Sequence, residues 1–270
     1  ASGGSTFAEA VGIISRVNGD SDFEVTFNGE VEGDYLQLNN IDGLIVLGGD
    51  GSLTGAKIFV EEFNFKVIGI PCTIDNDIYG TDYSIGFSTA RETVVNAIDK
   101  IRDTASSHER IFIVEVMGRE SGFLALESGV ASGAELILIP ENKNSMQEVI
   151  HNIKEINDKK KSVIIVYAEG CNFGTLNELS KNIKNNIKDS NVRVSILGHI
   201  QRGGIPSPSD RILGSVLGYE SINKITEGVS NKMIGIRDQK PITVDLYDAI
   251  SKKKEIDLSL NKMSDTISKY

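Results

Sequence analysis

Four short segments of the chain carry charged side chains, beside glycines in three of them, in patterns that suit phosphate chemistry. In the first, Leu47–Ser52 (LGGDGS), the glycines allow close backbone approach and positive φ angles. The helix expected after it offers free N–H groups and a positive dipole end to a phosphate. Asp50, among these glycines, could hold Mg²⁺ through water. The alternative is a plain glycine-rich turn in which Asp or Ser caps the helix.

The second segment, Pro71–Asp77 (PCTIDND), carries two carboxylates two residues apart. In an extended segment Asp75 and Asp77 would share one face. One of them could then act as a general base while the other positions it or holds a metal. The alternative is a polar turn, because Asn and Asp suit turns. Their place directly after a predicted buried strand favours a functional role.

A cationic side chain follows the next predicted strand. Arg119 lies within Glu115–Gly122 (EVMGRESG), beside two glycines and at a strand-to-helix turn. A guanidinium in such a turn can meet phosphoryl oxygens through a bidentate fork. The alternative is a surface arginine that pairs with Glu115 or Glu120.

The fourth segment, Leu197–Gly204 (LGHIQRGG), adds further cations. Arg193, His199 and Arg202 form a local cationic cluster in an acidic chain, which is the feature that a phosphorylated sugar requires. Glu169 follows another predicted strand and could accept hydrogen bonds from sugar hydroxyls. Together the segments indicate chemistry on a substrate that carries both a sugar and a phosphate.

Composition and charge exclude several other classes of function. The 270 residues include 28 Lys+Arg and 38 Asp+Glu, for a net charge of −10, so we expect no duplex nucleic acid and no anionic membrane as a partner. No apolar run approaches about 18 residues, which excludes a transmembrane helix, and residues 1–10 lack the pattern of a signal peptide. The two cysteines, Cys72 and Cys171, cannot form a disulfide framework, which favours the cytoplasm.

The elements that must position these segments alternate along the chain. The predicted strands are Gly43–Leu47, Val67–Ile70, Ile111–Val116, Glu135–Ile139, Ser162–Tyr167, Val192–Leu197 and Met233–Ile236. The predicted helices are Leu53–Phe63, a pattern running from Ala90 to Ile101, Gly122–Ser132, Met146–Lys159, Leu176–Lys188 and Asp210–Thr226. Repeated strand–helix alternation predicts an α/β fold with mostly parallel sheets and helices on both faces. Ligands then sit at the carboxyl ends of the strands. Residues 24–38 alternate only partly and are predicted to form a hairpin.

Taken together, the segments resemble the bacterial type of phosphofructokinase, from about Ile41 to Tyr270. The resemblance is carried by GGDGS, PCTIDNDIYGTDYSIGFSTA, DTASSHERIFIVEVMGRESG, ELILIPE, YAEG and LGHIQRGGIPSPSDR, in that order and spacing. It implies two Rossmann-like α/β lobes. A nucleotide-binding lobe would comprise residues 1–87 and about 201–250, and a sugar-phosphate lobe about 88–200 and 251–270. It also implies transfer of the γ-phosphoryl group of ATP to the 1-hydroxyl of fructose 6-phosphate, a step of glycolysis.

The resemblance also implies a role for each matching residue. Asp75 would be the base and Asp77 would support it, while Thr73 and Arg119 would stabilise the transferring phosphoryl group. Asp50 would serve Mg²⁺, with Gly49, Gly51 and Ser52 near the nucleotide phosphates. The sugar would be held by Met117, Gly118, Glu169 and Arg202, and its 6-phosphate by His199, Arg110 and Arg193. In this family two of these arginines reach in from a neighbouring subunit, which implies a homotetramer. Arg102, Glu135 and Lys160 match positions near the family's effector site, so the enzyme is expected to be allosteric.

The phosphoryl donor depends on two positions. Pyrophosphate-using relatives typically carry Asp where Gly51 stands and Lys where Cys72 stands. A side chain at the first position blocks the α-phosphate of ATP, so Gly51 favours ATP. Cys72 is neither that Lys nor the Gly usual in the ATP enzymes, which leaves the pyrophosphate-dependent form as an alternative.

The beginning of the chain departs from the family pattern. Ser2–Gly4 keep the opening SGG, but no G-T-x-L-G-[ST]-x-R stretch occurs between Leu38 and Gly48. Either the sequence lacks residues of the natural chain, or the chain is an altered form, or it is a paralogue that binds fructose 6-phosphate without turnover. Retention of every catalytic position downstream favours the first two.

Overall fold

The computed structural model describes the strand Val11–Ile14 and residues 42–105, 110–160, 162–188 and 190–268. Their strands are β1 (Val11–Ile14), β2 (Gly43–Gly48), β3 (Val67–Thr73), β4 (Ile85–Gly86), β5 (Arg110–Val116), β6 (Leu136–Leu138), β7 (Val163–Ala168), β8 (Asn191–Ile196), β9 (Lys232–Arg237) and β10 (Lys240–Asp245). Their α-helices are α1 (Asp50–Phe63), α2 (Phe87–Ala105), α3 (Phe123–Ala131), α4 (Met146–Asn157), α5 (Leu176–Asn186), α6 (Pro208–Thr226), α7 (Leu246–Ser251) and α8 (Ser259–Ile267). A 3₁₀ helix spans Gly198–Arg202.

The chain divides into two compact units. The first contains the described residues up to 73, together with 77–85 and 208–254, and the second contains 74–76, 86–207 and the described residues from 255 onward. The chain therefore passes from the first unit to the second after Thr73 and returns at Asp77. These three residues, 74–76, include Asp75, one of the two carboxylates of the second segment.

The first unit is built on a six-stranded sheet with helices on both faces. Its strand order is β1-β2-β3-β9-β10, with β4 beside β3. The central pairs β2–β3 and β3–β9 are parallel, whereas β1 and β10 pair antiparallel with β2 and β9. Alternate residues of a strand point to opposite faces, so Leu44 packs with α1 and α7 while Ile45 packs with α6. Burial of both faces explains why the sequence of β2 is apolar without interruption.

The second unit contains a four-stranded, fully parallel sheet in the order β6-β7-β5-β8. Every residue of β7 is buried, and β5 is buried except at Arg110 and Glu115, which are partly exposed. The strands pack into one core cluster with α2, α3, α4 and α5. Because the strands are parallel, their carboxyl ends lie along one edge of the sheet, where the residues after β5, β7 and β8 gather.

The predicted α/β fold with mostly parallel sheets is confirmed, and all seven predicted strands and six predicted helices are present within a few residues of their expected bounds. The sequence analysis missed β1, β4, β10, α7, α8 and the 3₁₀ helix, which are short or lie at the periphery of the sheets. The predicted hairpin at residues 24–38 and the SGG opening lie outside the described residues.

Two helices begin at capping boxes. Ser145 caps α4 and Thr175 caps α5, and in each case the Glu three residues later hydrogen-bonds back to the cap. Hydrogen bonds from Ser145 lower the pKa of Glu148, and those from Thr175 lower the pKa of Glu178. Such reciprocal bonds satisfy N–H groups that a helix start leaves unpaired. In the part of the chain that the structure describes, no helix has the length and apolar character needed to cross a membrane.

Candidate active site

The glycine-rich first segment forms the junction of β2 and α1 in the first unit. Gly49 is the N-cap residue of α1, and no side chain caps the helix there. A Cβ on Gly49 would lie 3.5 Å from the Cβ of Thr73, so the loop packs directly against the end of β3. Asp50, Gly51 and Ser52 form the first helical turn, with Asp50 and Gly51 exposed. The positive end of the α1 dipole is thus open to an anion.

The second segment is not extended, so the predicted shared face of Asp75 and Asp77 is wrong. Strand β3 ends at Thr73, and Asn76 adopts a left-handed conformation with φ of 53°. Alternation of side chains across one face requires extended backbone, which the left-handed residue between the two aspartates interrupts. Asp75 belongs to the second unit and is 5% exposed, whereas Asp77 belongs to the first unit and is partly exposed.

The third segment forms a tight turn after β5. Gly118 has φ of 147°, where a Cβ would lie 2.5 Å from the carbonyl oxygen of Ser121, and Arg119 has φ of 52°. The Glu169 carboxylate holds this turn, because its Oε1 accepts hydrogen bonds from the N–H groups of Gly118, at 3.1 Å, and Arg119, at 2.8 Å. Met117 sits just before it, at the carboxyl end of β5. A non-glycine residue with positive φ is uncommon and is often found at functional sites.

An ion pair joins the second and third segments. The Nε atom of Arg119 lies 3.6 Å from Oδ2 of Asp75, and the Ser121 hydroxyl donates a hydrogen bond of 3.1 Å to the Asp75 carbonyl oxygen. The Arg119 side chain is 67% exposed, while that of Asp75 is 8% exposed. Asp75 is therefore buried and fixed by these two contacts, whereas the Arg119 guanidinium remains accessible to a ligand.

The fourth segment forms the 3₁₀ helix after β8. Side chains three residues apart eclipse one another in such a helix, so His199 and Arg202 lie on one face, and both are exposed. Gln201 points inward and is 1% exposed. Its Oε1 accepts a hydrogen bond of 3.1 Å from the Met117 N–H, and its Nε2 donates one of 2.9 Å to the Gly198 carbonyl oxygen. The cationic helix is thereby tied to the turn after β5.

Two of the predicted phosphate ligands lie elsewhere in the second unit. Arg110 is the first residue of β5 and stands opposite Asn191, the first residue of β8. Its position is seven residues, about 20 Å, from Met117 at the other end of the same strand. Arg193 is exposed on β8, an edge strand of the sheet, opposite Phe112. The structure therefore brings together Met117, Gly118, Arg119, Glu169, His199, Arg202 and Asp75, but not Arg110.

A cavity of about 370 Å³ adjoins Glu169 in the second unit. Glu115, Glu169, Thr175, Asn177 and Ile196 are among its lining residues. Burial raises the pKa of the Glu115 carboxyl, and the neighbouring Glu169 raises it further. The carboxyl oxygens of Glu115 and Glu169 can accept hydrogen bonds, which suits recognition of hydroxyl groups.

A separate charged cluster lies at the far side of the same unit. The Glu135 carboxylate is 6% exposed, and its Oε1 is 3.3 Å from Nη1 of Arg102 and 3.6 Å from Nζ of Lys160. Its Oε2 accepts a hydrogen bond of 2.8 Å from the Ile164 N–H. Of the three residues that match positions near the family's effector site, Glu135 therefore pairs with both Arg102 and Lys160.

The residues at the start of α1 fit a Mg²⁺ ion that is held jointly by the protein and the phosphates of a substrate. Among the described residues, no three His, Cys, Asp or Glu side chains are grouped so that they could hold a metal ion. Mg²⁺ retains several waters and usually binds one or two carboxylates together with substrate phosphates. Asp50, exposed in the first turn of α1, can supply such a single carboxylate beside an anion-binding helix end.

Three residues that position the site were missed by the sequence analysis: Ser121, Glu141 and Gln201. Glu141 Oε1 accepts a hydrogen bond of 2.9 Å from the Gly122 N–H at the start of α3. Gln201 and Ser121 hydrogen-bond to backbone groups of distant segments. Their residue types carry no signal for such long-range contacts. Had a 3₁₀ helix been predicted, its three-residue period would have placed Gln201 on a different face from His199 and Arg202.

Comparisons with known proteins agree on one family. The family model described as phosphofructokinase matches residues 25–225. The ATP-dependent 6-phosphofructokinase of Natranaerobius thermophilus is 46% identical over 258 residues, which are 95% of this chain and 80% of that protein. ATP-dependent 6-phosphofructokinase 2 of Bacteroides thetaiotaomicron is 48% identical over 224 residues, 83% of this chain and 69% of that protein.

Solved structures give the same result for the fold. Pichia pastoris phosphofructokinase in the T-state matches with a TM-score of 0.74 and 31% identity, over 87% of this chain and 28% of that chain. The pyrophosphate-dependent phosphofructokinase of Marinobacter aquaeolei matches with a TM-score of 0.73 and 22% identity, over 84% of this chain and 64% of that chain. At that identity the second match concerns the fold alone.

Proposed function

The chain belongs to the phosphofructokinase family, and on that premise we propose that it transfers the γ-phosphoryl group of ATP to the 1-hydroxyl of fructose 6-phosphate. The product is fructose 1,6-bisphosphate, an intermediate of glycolysis. The observation that carries this proposal is the buried Asp75 carboxylate, held 3.6 Å from the exposed guanidinium of Arg119 at the carboxyl ends of the strands. A base beside an accessible cation is the arrangement that phosphoryl transfer to a hydroxyl requires.

The reaction assigns a role to each of these groups. Asp75 accepts the proton of the 1-hydroxyl as its oxygen attacks the γ-phosphorus, and the bond to the bridging oxygen breaks as ADP leaves. Arg119 and Thr73 stabilise charge on the transferring group, and Asp77 supports the base. Phosphoryl transfer depends mainly on such positioning and charge stabilisation.

We assign the sugar to the second unit. Met117 and Gly118 present the turn after β5, and Glu169 both holds that turn and faces the cavity beside it. Arg202 lies on the accessible face of the 3₁₀ helix and completes this group. His199, on the same face, binds the 6-phosphate together with Arg110 and Arg193.

The nucleotide side is assigned to the first unit. Gly49, Gly51 and Ser52 lie at the uncapped start of α1, where backbone N–H groups can bind phosphate oxygens. Asp50 would hold Mg²⁺, which neutralises charge on the phosphates when it is bound. The absence of a side chain on Gly51 leaves room for the α-phosphate and favours ATP as the donor.

We further propose a homotetramer in which subunits share their sugar sites. Arg110 lies about 20 Å from Met117 along β5, farther than an arginine side chain extends, so it cannot join the site formed by its own chain. Arg193 stands exposed on the edge strand β8. Both would therefore serve the 6-phosphate of a neighbouring subunit. Cys72 and Cys171 are free thiols, which is consistent with the cytoplasmic location that we propose.

A coupled assay of fructose 1,6-bisphosphate formation, with MgATP and Mg-pyrophosphate in parallel, tests the proposed function. We expect turnover with MgATP. Turnover with pyrophosphate alone would establish the alternative donor, which Cys72 leaves open. Binding of fructose 6-phosphate without turnover by either donor would identify a non-catalytic sugar-binding subunit.

The His199→Ala variant is expected to raise the KM for fructose 6-phosphate by about tenfold to a hundredfold, with a smaller fall in kcat. The imidazole contacts the 6-phosphate in ground and transition states alike, so its loss removes binding that is uniform along the reaction, and a hydrogen bond to a charged group has this magnitude. Steady-state kinetics measure the effect. His151→Ala, on the exposed face of α4, is the matched control. A fall in kcat alone would contradict the 6-phosphate assignment.

The cluster of Arg102, Glu135 and Lys160 is our proposed effector site. A phosphorylated ligand would compete with the Glu135 carboxylate for the Arg102 guanidinium and the Lys160 ammonium. Binding of the ligand would therefore break or weaken both ion pairs. With ADP as the probe and MgATP saturating, so that ADP is displaced from the nucleotide site, we expect the fructose 6-phosphate saturation curve of the wild type to shift and that of Lys160→Ala to remain unshifted. Lys154→Ala, exposed on α4, should respond as the wild type does. An equal shift in Lys160→Ala would exclude this cluster.

A further inference from the structure

One buried amide connects the two parts of the sugar-phosphate site. Gln201 is 1% exposed, and both ends of its amide are used. The oxygen accepts a hydrogen bond from the Met117 N–H, at the start of the turn that carries Arg119, and the nitrogen donates to the Gly198 carbonyl oxygen, at the start of the 3₁₀ helix. No other side chain of that helix is buried.

The 3₁₀ helix packs against α2 and β5, but Gln201 is its one buried side chain. It spans five residues, no side chain caps its start, and Gly198 enters it with φ of 56°. Helices of this kind have poor hydrogen-bond geometry and form only short runs. Leu197, just before it, is fixed by a backbone hydrogen bond to the Glu115 carbonyl oxygen, at 3.2 Å. The direction in which His199 and Arg202 project therefore depends on how Gln201 anchors the inner face.

The chemistry of the link requires an amide. Gln offers an acceptor and a donor on one planar group, whereas an ionised carboxylate only accepts and an apolar side chain does neither. The Met117 N–H and the Gly198 carbonyl are both close to the buried amide, and an unpaired backbone group away from water is costly. Loss of either hydrogen bond therefore breaks the connection between the 3₁₀ helix and the turn after β5.

We infer that Gln201 is a positioning residue that sets the register between the phosphate-binding face of the 3₁₀ helix and the catalytic turn after β5. This inference rests on the proposed function. In the proposed site the 3₁₀ helix holds the 6-phosphate through His199 and the sugar through Arg202, and the turn holds Arg119 beside Asp75. The distance between these two groups decides whether the 1-hydroxyl reaches the Asp75 carboxylate. Gln201 therefore affects kcat as well as the sugar KM, unlike a residue that only binds phosphate.

The Gln201→Glu variant tests the donor half of the link. At about pH 8 its carboxylate still accepts from the Met117 N–H but meets the Gly198 carbonyl oxygen with a second acceptor, so we expect kcat/KM to fall about tenfold to a hundredfold. Burial and the facing carbonyl raise the pKa of the introduced carboxyl. As the pH falls toward about 5.5, the carboxyl gains a proton, donates to Gly198 and regains activity relative to the wild type.

The readout is the ratio of variant to wild-type kcat/KM, measured in the same buffers across this pH range. The ratio cancels the titration of groups that both proteins share. The shared charged groups on the 3₁₀ helix are His199 and Arg202. Glu115 lies on β5, and Glu169 holds the turn after β5. The helix α2 packs against the 3₁₀ helix and carries Arg91, Glu92, Asp99, Lys100, Arg102 and Asp103. A ratio that rises toward low pH supports the inference. A ratio that stays constant, or wild-type kinetics at every pH, would overturn it.

Two further variants separate positioning from folding and from charge. Gln201→Met removes both hydrogen bonds and introduces no titratable group. We therefore expect a lower kcat and a higher KM than in the wild type, with a ratio of variant to wild-type kcat/KM that does not change with pH. Gln147→Glu makes the same chemical change on the exposed first turn of α4 and should behave as the wild type does. Thermal melting monitors folding, and failure of both Gln201 variants to fold would overturn the inference, because the residue would then serve stability. Wild-type turnover tests the proposed function independently of these outcomes.

Discussion

We expect the Asp75→Ser variant to lose about three orders of magnitude in kcat while its affinity for fructose 6-phosphate changes little. A positioned general base contributes about 10²- to 10⁴-fold to rate. The carboxylate takes up the proton mainly in the transition state, so its removal affects turnover rather than ground-state binding. In the site that we propose, the sugar is held by the turn at Gly118 and by Glu169, whose mutual hydrogen bond does not involve the Asp75 side chain.

The measurement is steady-state kinetics with MgATP, together with calorimetric titration of fructose 6-phosphate into the variant. Asp158→Ser makes the same change at the exposed end of α4 and should leave both quantities unaltered. Asp75→Asn keeps the shape of the side chain, so equal losses in Ser and Asn variants would assign the effect to the lost base. Wild-type turnover in Asp75→Ser would remove Asp75 from that role.

The second large effect is expected from Gly51→Asp, which should lower kcat/KM for MgATP by about a hundredfold or more. Gly51 is exposed in the first turn of α1, next to Asp50. A side chain there occupies the space that we assign to the α-phosphate. Its charge also opposes the helix dipole's attraction for phosphates, and like charges a few ångströms apart near a protein surface repel by about 3–4 kcal/mol.

Kinetics at saturating fructose 6-phosphate, with MgATP and Mg-pyrophosphate as donors, measure this effect. Gly51→Asn separates the volume of the side chain from its charge. Gly218→Asp places the same residue on α6, where no neighbouring atom lies within 4 Å of the new Cβ, and should leave the use of ATP intact. Unchanged use of MgATP by Gly51→Asp would show that this position does not contact the nucleotide.

Two predicted site residues lie close together because each follows a strand of one parallel sheet. Gly118 and Glu169 come after β5 and β7, which are parallel neighbours, so their proximity follows from the topology of the sheet. Arg110 shows the limit of that reasoning. It belongs to the same motif in sequence, yet the length of β5 separates it from the turn, as the predicted strand Ile111–Val116 already implies.

Local backbone conformation marks a second limit. The pair Asp75 and Asp77 is expected to share a face if the chain stays extended, but the left-handed Asn76 places the two residues in different units. Asn tolerates that conformation better than most residues do, so its presence permits the turn without requiring it. Asp75, next to this left-handed residue, is buried, and its carbonyl oxygen accepts a hydrogen bond from the Ser121 hydroxyl. The sequence does not predict either feature.

The sequence by itself determined the α/β class, the order of the central strands and helices, and the family, because apolar periodicity and residue order are local properties of the chain. Only the tertiary structure decided that Arg119 faces Asp75 and that Gln201 joins the 3₁₀ helix to the turn after β5. These features depend on contacts between segments distant in sequence, such as the 84 positions between Met117 and Gln201. Long-range contacts arise when buried polar groups must find partners in the folded chain.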